Sequence, residues 1–166
     1  MSVVRGKKHT YVGMDLDHSS LGEVIVSMDS YITEAIDEFT EEKMKIIKTP
    51  TGNHLFKVDD VCVKLCERDK IIFHRLVPNL LFLSKRERPD IQMSITFLTT
   101  RVQNSDEDAC KKLQRILSYL DATINIVKLL LNVKELKVVH WWLNTSYGTR
   151  LDLKGQTGAK ISIRKG

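Results

Sequence analysis

Residue types that mark special classes of protein are scarce in this chain. Its 166 residues include 3 prolines and 8 glycines, which argues against a low-complexity chain. The 3 cysteines are an odd number, and residues 1–10 lack the apolar segment of a secretory signal. No apolar run approaches the roughly 20 residues that span a bilayer. We therefore expect a folded, reduced, intracellular protein, cytoplasmic or nuclear, without a membrane partner.

What the chain does contain is a small excess of basic residues. The 26 lysines and arginines outnumber the 21 acidic residues and give a net charge of +5. This excess favours a polyanionic partner, but it is equally compatible with a solvated basic surface. Charge alone therefore leaves both interpretations open.

The N-terminal third predicts a β-hairpin followed by a helix. Two β-rich runs, at 11–16 and 24–26, flank a turn signal at 19–22 and indicate an antiparallel hairpin. Apolar residues then recur at helical spacing, with Ser27 or Asp29 as the expected N-cap. The residues of this predicted helix face are Met28, Ile32, Ala35, Ile36 and Phe39.

Residues 41–70 show no sustained period and predict a long connection. Its apolar residues could contact the body of the protein; they are Leu55, Phe56, Val58 and Val61. Cys62 and Cys66 have a C-x-x-x-C spacing, which with His54 or His74 would be the start of a zinc site. Structural zinc needs four ligands, and no second pair stands at ligand spacing, so ordinary thiols are the better interpretation.

Three helical stretches follow and predict a small bundle. The first contains Pro78, which should kink or end it because proline lacks an N–H and its ring collides with the preceding turn. We expect the second to begin at an Asp90 cap and the third near Asp106. The expected core positions are Ile72, Phe73, Leu76, Val77, Leu80, Leu81, Leu83, Ile91, Ile95, Leu98, Val102, Ala109, Leu113, Ile116, Leu117 and Leu120.

After Asp121 the pattern changes to strands, predicted at 124–131, 136–143 and 159–163. Turn residues separate the last two, namely Gly148, Asp152, Gly155 and Gly158. The expected fold is therefore α+β: an N-terminal hairpin and helix, a helical bundle, and a β-rich C-terminal segment.

Short motifs stand in a fixed order along the chain, from HTYVGMDLD at 9–17 to KGQTGA at 154–159. Together they resemble the reverse transcriptase and RNase H region of copia-type retrotransposon polyproteins. HTYVGMDLD at 9–17 is similar to the family's Y-L-G-M hairpin, and LGEVIVSMDSYI at 21–32 continues in register. FHRLV at 73–77, LLFLSKR at 80–86 and RPDI at 88–91 follow, and then LTTRV at 98–102 and LQRILSYLDAT at 113–123. WWLNTSY at 141–147 and KGQTGA at 154–159 resemble W-x-D-A-S-Y and K-G-H-T-G-A at the opening of RNase H.

The resemblance implies a role for each segment. Residues 1–70 would be the end of the polymerase palm with a primer-grip-like hairpin, 71–123 the thumb and connection helices, and 124–166 the start of an incomplete RNase H domain. A thumb of this kind holds a template–primer duplex by its phosphates. The implied nucleic-acid contacts are Tyr11, Gly13, Met14, Lys85, Arg86, Arg88, Arg101, Lys111, Lys112 and Arg115.

The acidic residues that such enzymes need are missing or replaced. The polymerase carboxylates of the family precede the hairpin, and Asp59 with Asp60 imitates them only at a position after it, with Lys57 where an aromatic residue belongs. Asn144 occupies the position of the first RNase H carboxylate and offers a metal ion one neutral oxygen. Gln156 stands where the family has histidine.

We therefore expect a non-catalytic fragment with no cofactor of its own, although the parent enzyme would use Mg²⁺. Its expected partner is an RNA–DNA or DNA duplex, held weakly and without sequence preference; no small-molecule substrate is expected. A domesticated protein-interaction module built on the thumb helices is the alternative. Duplex affinity that falls steeply with salt would favour the first hypothesis, and salt-insensitive association with a protein would favour the second.

Overall fold

The computed structural model describes residues 6–40, 44–59, 61–126, 128–132, 140–146 and 156–162. Its strands are β1 (Lys8–Tyr11), β2 (Met14–Asp17), β3 (Glu23–Ser27), β4 (Leu129–Asn132), β5 (His140–Ser146) and β6 (Gln156–Ser162). Its α-helices are α1 (Asp29–Phe39), α2 (Glu67–Ser84), α3 (Gln92–Thr99) and α4 (Glu107–Thr123). The short 3₁₀ turns Pro89–Ile91 and Val102–Asn104 flank α3. The predicted α+β class is confirmed.

The N-terminal strands form an antiparallel sheet in the order β1-β2-β3-β4. The predicted hairpin across residues 18–22 is confirmed as β2 and β3. The run predicted at 11–16 is interrupted, however, because Val12 and Gly13 have φ of 51° and 73° and reverse the chain between β1 and β2. A two-residue turn with positive φ at both positions matches the twist of the strands that it joins.

Strand β4 has a partner that local sequence did not indicate. We predicted 124–131 as a strand of the C-terminal unit, but β4 pairs with β3, with Val24 opposite Leu131 and Val26 opposite Leu129. The N-terminal sheet is therefore completed by residues that lie about a hundred positions later in the chain. The division into segments 1–70, 71–123 and 124–166 stays a prediction.

Helix α1 follows the sheet directly and buries the face that the spacing predicted. Met28, Ile32 and Ala35 are buried in the core. The predicted cap is wrong, because the N-cap position belongs to Met28, which has no capping side chain. Instead, the Met28 N–H donates to Glu87 Oε2 at 2.9 Å. The carboxylate of Glu87, which lies just after α2, thus takes the place of a local capping side chain for α1.

The connection before α2 packs on the bundle at two places. Leu55 is buried and Val58 packs against the core, as predicted, but Val61 is 91% exposed. Further on, the Glu107 N–H donates to Val63 O at 3.0 Å, and Lys64 pairs with Asp106 in an isolated bridge. The connection is therefore attached to the start of α4 before α2 begins.

Four helices enclose the core. α2 runs through Pro78 to Ser84, so the proline does not end it. The predicted Asp90 cap is wrong, since Asp90 lies inside the 3₁₀ turn and its side chain pairs with Arg88. The predicted Asp106 cap is confirmed: its Oδ1 accepts from the Ala109 N–H at 2.8 Å. Most predicted core positions of the bundle are fully buried, including Phe73, Leu76, Leu80, Ile95, Leu98, Leu113 and Ile116.

Strands β5 and β6 form a separate two-stranded antiparallel sheet. Trp141 stands opposite Ile161 and Leu143 opposite Ala159, so these four residues share one face. The predicted turn residues Gly148, Asp152 and Gly155 lie outside the described residues, as does Lys154 of the KGQTGA motif. No helix in the described part of the chain is long and apolar enough to cross a membrane.

Candidate nucleic-acid interface

The tip of the first hairpin presents two of its three predicted contact residues, Tyr11 and Gly13, to solvent. Tyr11 is 66% exposed at the end of β1. Gly13 lies in the turn itself, while Met14 is half-buried and packs against the core. Tyr11 can therefore meet a ligand, whereas Met14 serves to seat the hairpin on the bundle.

Arg88 does not reach the surface, so its predicted contact with nucleic acid is wrong. Its side chain is fully buried, and its guanidinium donates to both carboxylate oxygens of Asp90, at 3.1 and 2.8 Å, and to Thr123 Oγ1 at 2.8 Å. Burial alone would lower the pKa of Arg88, but the hydrogen bonds and charge of Asp90 reverse this and raise it. Arg88 is a structural cation that ties the 3₁₀ turn to the end of α4.

Asp90 and Tyr119 complete this network, in which Asp90 stands at the surface. The Tyr119 hydroxyl donates to Asp90 Oδ2 at 2.6 Å, and the Arg88 guanidinium lies 5.2 Å from the Tyr119 ring centre. Burial opposes ionisation of Asp90, but the hydrogen bonds from Arg88 and Tyr119 prevail and lower its pKa. A fork-shaped arginine that satisfies a carboxylate in this way is rarely exchangeable for lysine.

Two more predicted contacts already have partners within the protein. Arg101 Nη2 donates to Asp106 Oδ2 at 2.7 Å, which joins it to the carboxylate that caps α4. Lys112 Nζ donates to Asp108 Oδ2 at 2.7 Å and to Lys57 O at 2.6 Å. Both cations hold the bundle and its connection together, and neither is positioned primarily for a ligand.

Lys85 and Arg86 lie together at the C-terminal end of α2. Lys85 is exposed and occupies the C-cap position. The Arg86 guanidinium lies 3.6 Å from the centre of the Phe82 ring, a distance typical of a cation–π contact. This pair remains available to a phosphate backbone at the edge of the bundle.

Lys111 and Arg115 line a cleft between α4 and the connection, which we name the α4 cleft. It has a volume of about 550 Å³, and its other wall consists of residues 50–59. Lys111 forms only a loose, exposed pair with Glu107, at 3.8 Å. Arg115 Nη2 donates to Thr49 Oγ1 at 2.9 Å, and its Nε is buried without an acceptor among the described residues.

A second, smaller groove continues from the α4 cleft along the same helix. It shares Lys111 and Arg115 with the cleft and adds Lys45. Successive turns of α4 place the two shared cations four residues apart, on one face of the helix. The same basic face of α4 therefore borders both the α4 cleft and the second groove.

The loop side of the α4 cleft was missed from the sequence. We predicted that apolar residues of the connection 41–70 contact the body of the protein, but we did not predict that His54 and Lys57 line a cleft. The turn signal at 49–53 marked a chain reversal, but nothing in it indicated that the loop folds onto α4. That placement depends on Lys112, which reaches across to the carbonyl of Lys57.

The remaining carboxylates and cysteines do not assemble into a metal site. Among the described residues, no three His, Cys, Asp or Glu side chains form a group that could hold a metal ion. Asp59 Oδ1 accepts from the Val61 N–H at 3.1 Å, and Asp60 lies outside the described residues. Burial, Asp69 and Glu107 raise the pKa of the Cys110 thiol, which disfavours the thiolate that a metal would bind.

Asn144 lies in the middle of β5. Its backbone stands opposite Gly158 of β6, which comes from the second RNase H-like motif. The two motifs are therefore neighbours in one two-stranded sheet.

One comparison relates the chain to mobile genetic elements. This chain is 25% identical over 163 residues to a Ty5-1 transposon-like protein of Saccharomyces cerevisiae. The chain is related to a transposon protein. The alignment covers 97% of the chain but 51% of the yeast protein, so the chain spans about half the length of this relative.

No family model matches the chain, and no solved structure matches it. The transposon similarity therefore rests on sequence, and it extends across both sheets and the helical bundle.

Proposed function

We propose that this chain is a fragment derived from a retrotransposon reverse transcriptase and RNase H polyprotein, of the copia type, that binds nucleic-acid duplexes without sequence preference. The observation that carries the proposal is the similarity to a transposon protein over 97% of the chain. The order of the reverse-transcriptase-like motifs along the same residues supports it. The thumb-like bundle is formed by α2, α3 and α4.

Its phosphate contacts would come from the exposed cations of the bundle. Lys111 and Arg115 on α4, with Lys85 and Arg86 at the end of α2, have no strong carboxylate partner among the described residues. Lysine and arginine contacts of this kind give affinity that does not depend on base sequence. Arg88, Arg101 and Lys112 are excluded from this set by their intramolecular bonds.

We propose further that the fragment is not an enzyme by itself. The parent enzyme would use Mg²⁺, but Asn144 brings a neutral amide to the position of the first RNase H carboxylate, and divalent magnesium prefers charged oxygen ligands. The donor set does not fit the ion.

Salt dependence of duplex binding tests the proposal. Fluorescence anisotropy with a labelled 20-base-pair RNA–DNA hybrid should show log affinity falling linearly with log salt. The double variant Lys111→Gln/Arg115→Gln should flatten this slope by about 0.9 for each phosphate that the protein no longer neutralises. Lys70→Gln is the matched control, because Lys70 lies on α2 and pairs with Glu67 at 3.9 Å.

Two results would contradict the proposal. The first is salt-insensitive binding, or a slope that the control variant changes as much as the double variant does. The second is cleavage or extension of the hybrid by the purified chain with magnesium or manganese, which would show that the chain is an enzyme after all.

A further inference from the structure

The α4 cleft differs in shape from the surfaces that bind a duplex backbone. Its volume of about 550 Å³ lies within the range of roughly 300–1,000 Å³ that is usual for small-ligand sites. A paired base is enclosed in the stack of its duplex and cannot enter a pocket unless it is extruded. A duplex could contact the cations of the cleft with its phosphates, but a ligand that fills the cleft must be smaller than a duplex.

The α4 cleft combines apolar surface with positive charge. Pro50, Leu55 and Val58 supply apolar surface from the connection. Positive charge comes from both walls, with Lys57 on the connection and Lys111 and Arg115 on α4. A cleft of this mixed chemistry suits a ligand with a flat, weakly polar body and a negatively charged group.

The cations of the cleft are only partly neutralised. Asp108 is bonded to Lys112, and Asp59 accepts from the Val61 N–H. Among the described residues, the Arg115 guanidinium is bonded to the Thr49 hydroxyl and to no carboxylate, and its buried Nε donor lacks an acceptor. The charge of Arg115 is therefore not balanced by a carboxylate among the described residues, and an anionic group in the cleft would be favourable beside it.

The floor of the cleft is fixed by an internal bond. Lys112 Nζ joins the carbonyl of Lys57 to Asp108 and so connects the two walls. The cleft is therefore formed before any ligand binds, which reduces the ordering that binding requires.

We propose that the α4 cleft binds one unpaired nucleotide, with its phosphate at Arg115 and Lys111 and its base against Leu55 and Val58. The ligand is a nucleoside monophosphate or the unpaired terminal nucleotide of a strand, which share this chemistry. The site goes beyond the proposed duplex contact, because it requires a nucleotide outside a base pair.

Isothermal titration calorimetry with adenosine 5′-monophosphate tests the site directly. The nucleotide should bind at least about tenfold more tightly than inorganic phosphate or adenosine. Inorganic phosphate lacks the base that would contact the apolar surface, and adenosine lacks the phosphate that would contact the cations. A charge-assisted hydrogen bond contributes about 1.5–3 kcal/mol, so Arg115→Gln should weaken nucleotide binding about tenfold or more. Lys45→Gln is the matched control, because Lys45 lines the neighbouring groove and not the cleft.

A second variant protects the test against misfolding. Lys111→Gln removes an exposed side chain with only a loose partner and should weaken nucleotide binding without lowering the melting temperature. A 5′-phosphorylated single-stranded overhang on a duplex distinguishes a strand end from a free nucleotide, and it should bind more tightly than the blunt duplex.

The proposal is overturned if the nucleotide binds no better than phosphate, or if Lys45→Gln weakens it as much as Arg115→Gln does. The salt-dependent duplex titration is measured separately. If the nucleotide does not bind but the duplex does, only the proposal for the α4 cleft is rejected. If the nucleotide binds but the duplex does not, only the proposed duplex contact is rejected.

Discussion

At the scale of single residues, the turn between β1 and β2 contains an unusual choice of side chain. Val12 has φ of 51° and is the one described residue other than glycine with a positive φ. The left-handed region costs an L-residue roughly 1–2 kcal/mol, and β-branching makes it less favourable still. Val12 is 54% exposed, so little packing compensates for this strain.

Val12→Asn should therefore stabilise the protein. The substitution creates an Asn-Gly pair, which is strongly preferred in two-residue turns with positive φ. We expect the free energy of unfolding to rise by about 1 kcal/mol, measured by urea denaturation. Val61→Asn is the control, because Val61 is also exposed but has no positive φ. Equal effects of the two substitutions would show that the turn is unstrained.

Arg88 shows where residue-level reasoning from sequence fails. The family resemblance of the RPDI segment at 88–91 placed Arg88 among the implied nucleic-acid contacts. Its burial depends on Thr123 and Tyr119, which lie more than thirty positions later on α4. Local sequence contains no sign of such a partner, whereas it does reveal that Asp106 precedes an apolar period and caps α4.

At the scale of elements, helical periodicity predicted the core well because the bundle buries one continuous stripe of each helix. All five predicted core positions of α4 are buried, and Ser118 and Tyr119, which were not predicted, are buried with them. Strand partners were not predictable in the same way, since β4 is short and its partner β3 lies about a hundred positions earlier in the chain. The contact of Leu55 and Val58 with the core was predicted, but residues 50–59 have no period, so the sequence did not indicate that they form the wall of a cleft.

Pro78 is a defect inside an otherwise regular element. It is exposed on α2, has no N–H to donate to the carbonyl of His74, and costs about 3 kcal/mol relative to alanine in a helix interior. Pro78→Ala should therefore raise the free energy of unfolding by about 1–3 kcal/mol, measured by chemical denaturation.

Ile71→Ala provides the control on the same helix, because Ile71 is exposed and its backbone already donates normally. Its effect should stay below about 0.7 kcal/mol, the usual spread of helix propensity. A loss of stability in Pro78→Ala would mean that a bend at the proline is needed to seat Leu80 and Leu83 in the core.

At the scale of the whole molecule, Glu87 connects the N-terminal sheet to the helical bundle. It lies just beyond α2, is almost completely buried, and accepts the Met28 N–H at the start of α1. Burial raises the pKa of Glu87, although Lys128, the Met28 N–H and Arg88 act in the opposite direction. Lys128 is itself paired with Asp29, so it does not fully compensate the buried carboxylate.

The raised pKa gives folding a defined dependence on pH. The folded state holds the Glu87 proton more tightly than the unfolded chain, whose ordinary value is 4.5. The protonated carboxyl therefore favours folding below that pH, and this advantage is lost as the pH rises through the folded-state pKa. Asp90 acts in the opposite sense, because its lowered pKa removes stability only as the pH falls below its ordinary value of 3.8.

Glu87→Gln separates the pH dependence that Glu87 causes from the pH dependence that Asp90 causes. The amide keeps an oxygen for the Met28 N–H but cannot ionise, so the variant should match the native protein near pH 4 and become progressively more stable than it at higher pH. Urea denaturation at a series of pH values measures the difference. The exposed Glu67→Gln should show no such divergence. A Glu87→Gln variant that loses stability at neutral pH would mean that the ionised carboxylate, held by Lys128 and Arg88, is what joins the sheet to the bundle.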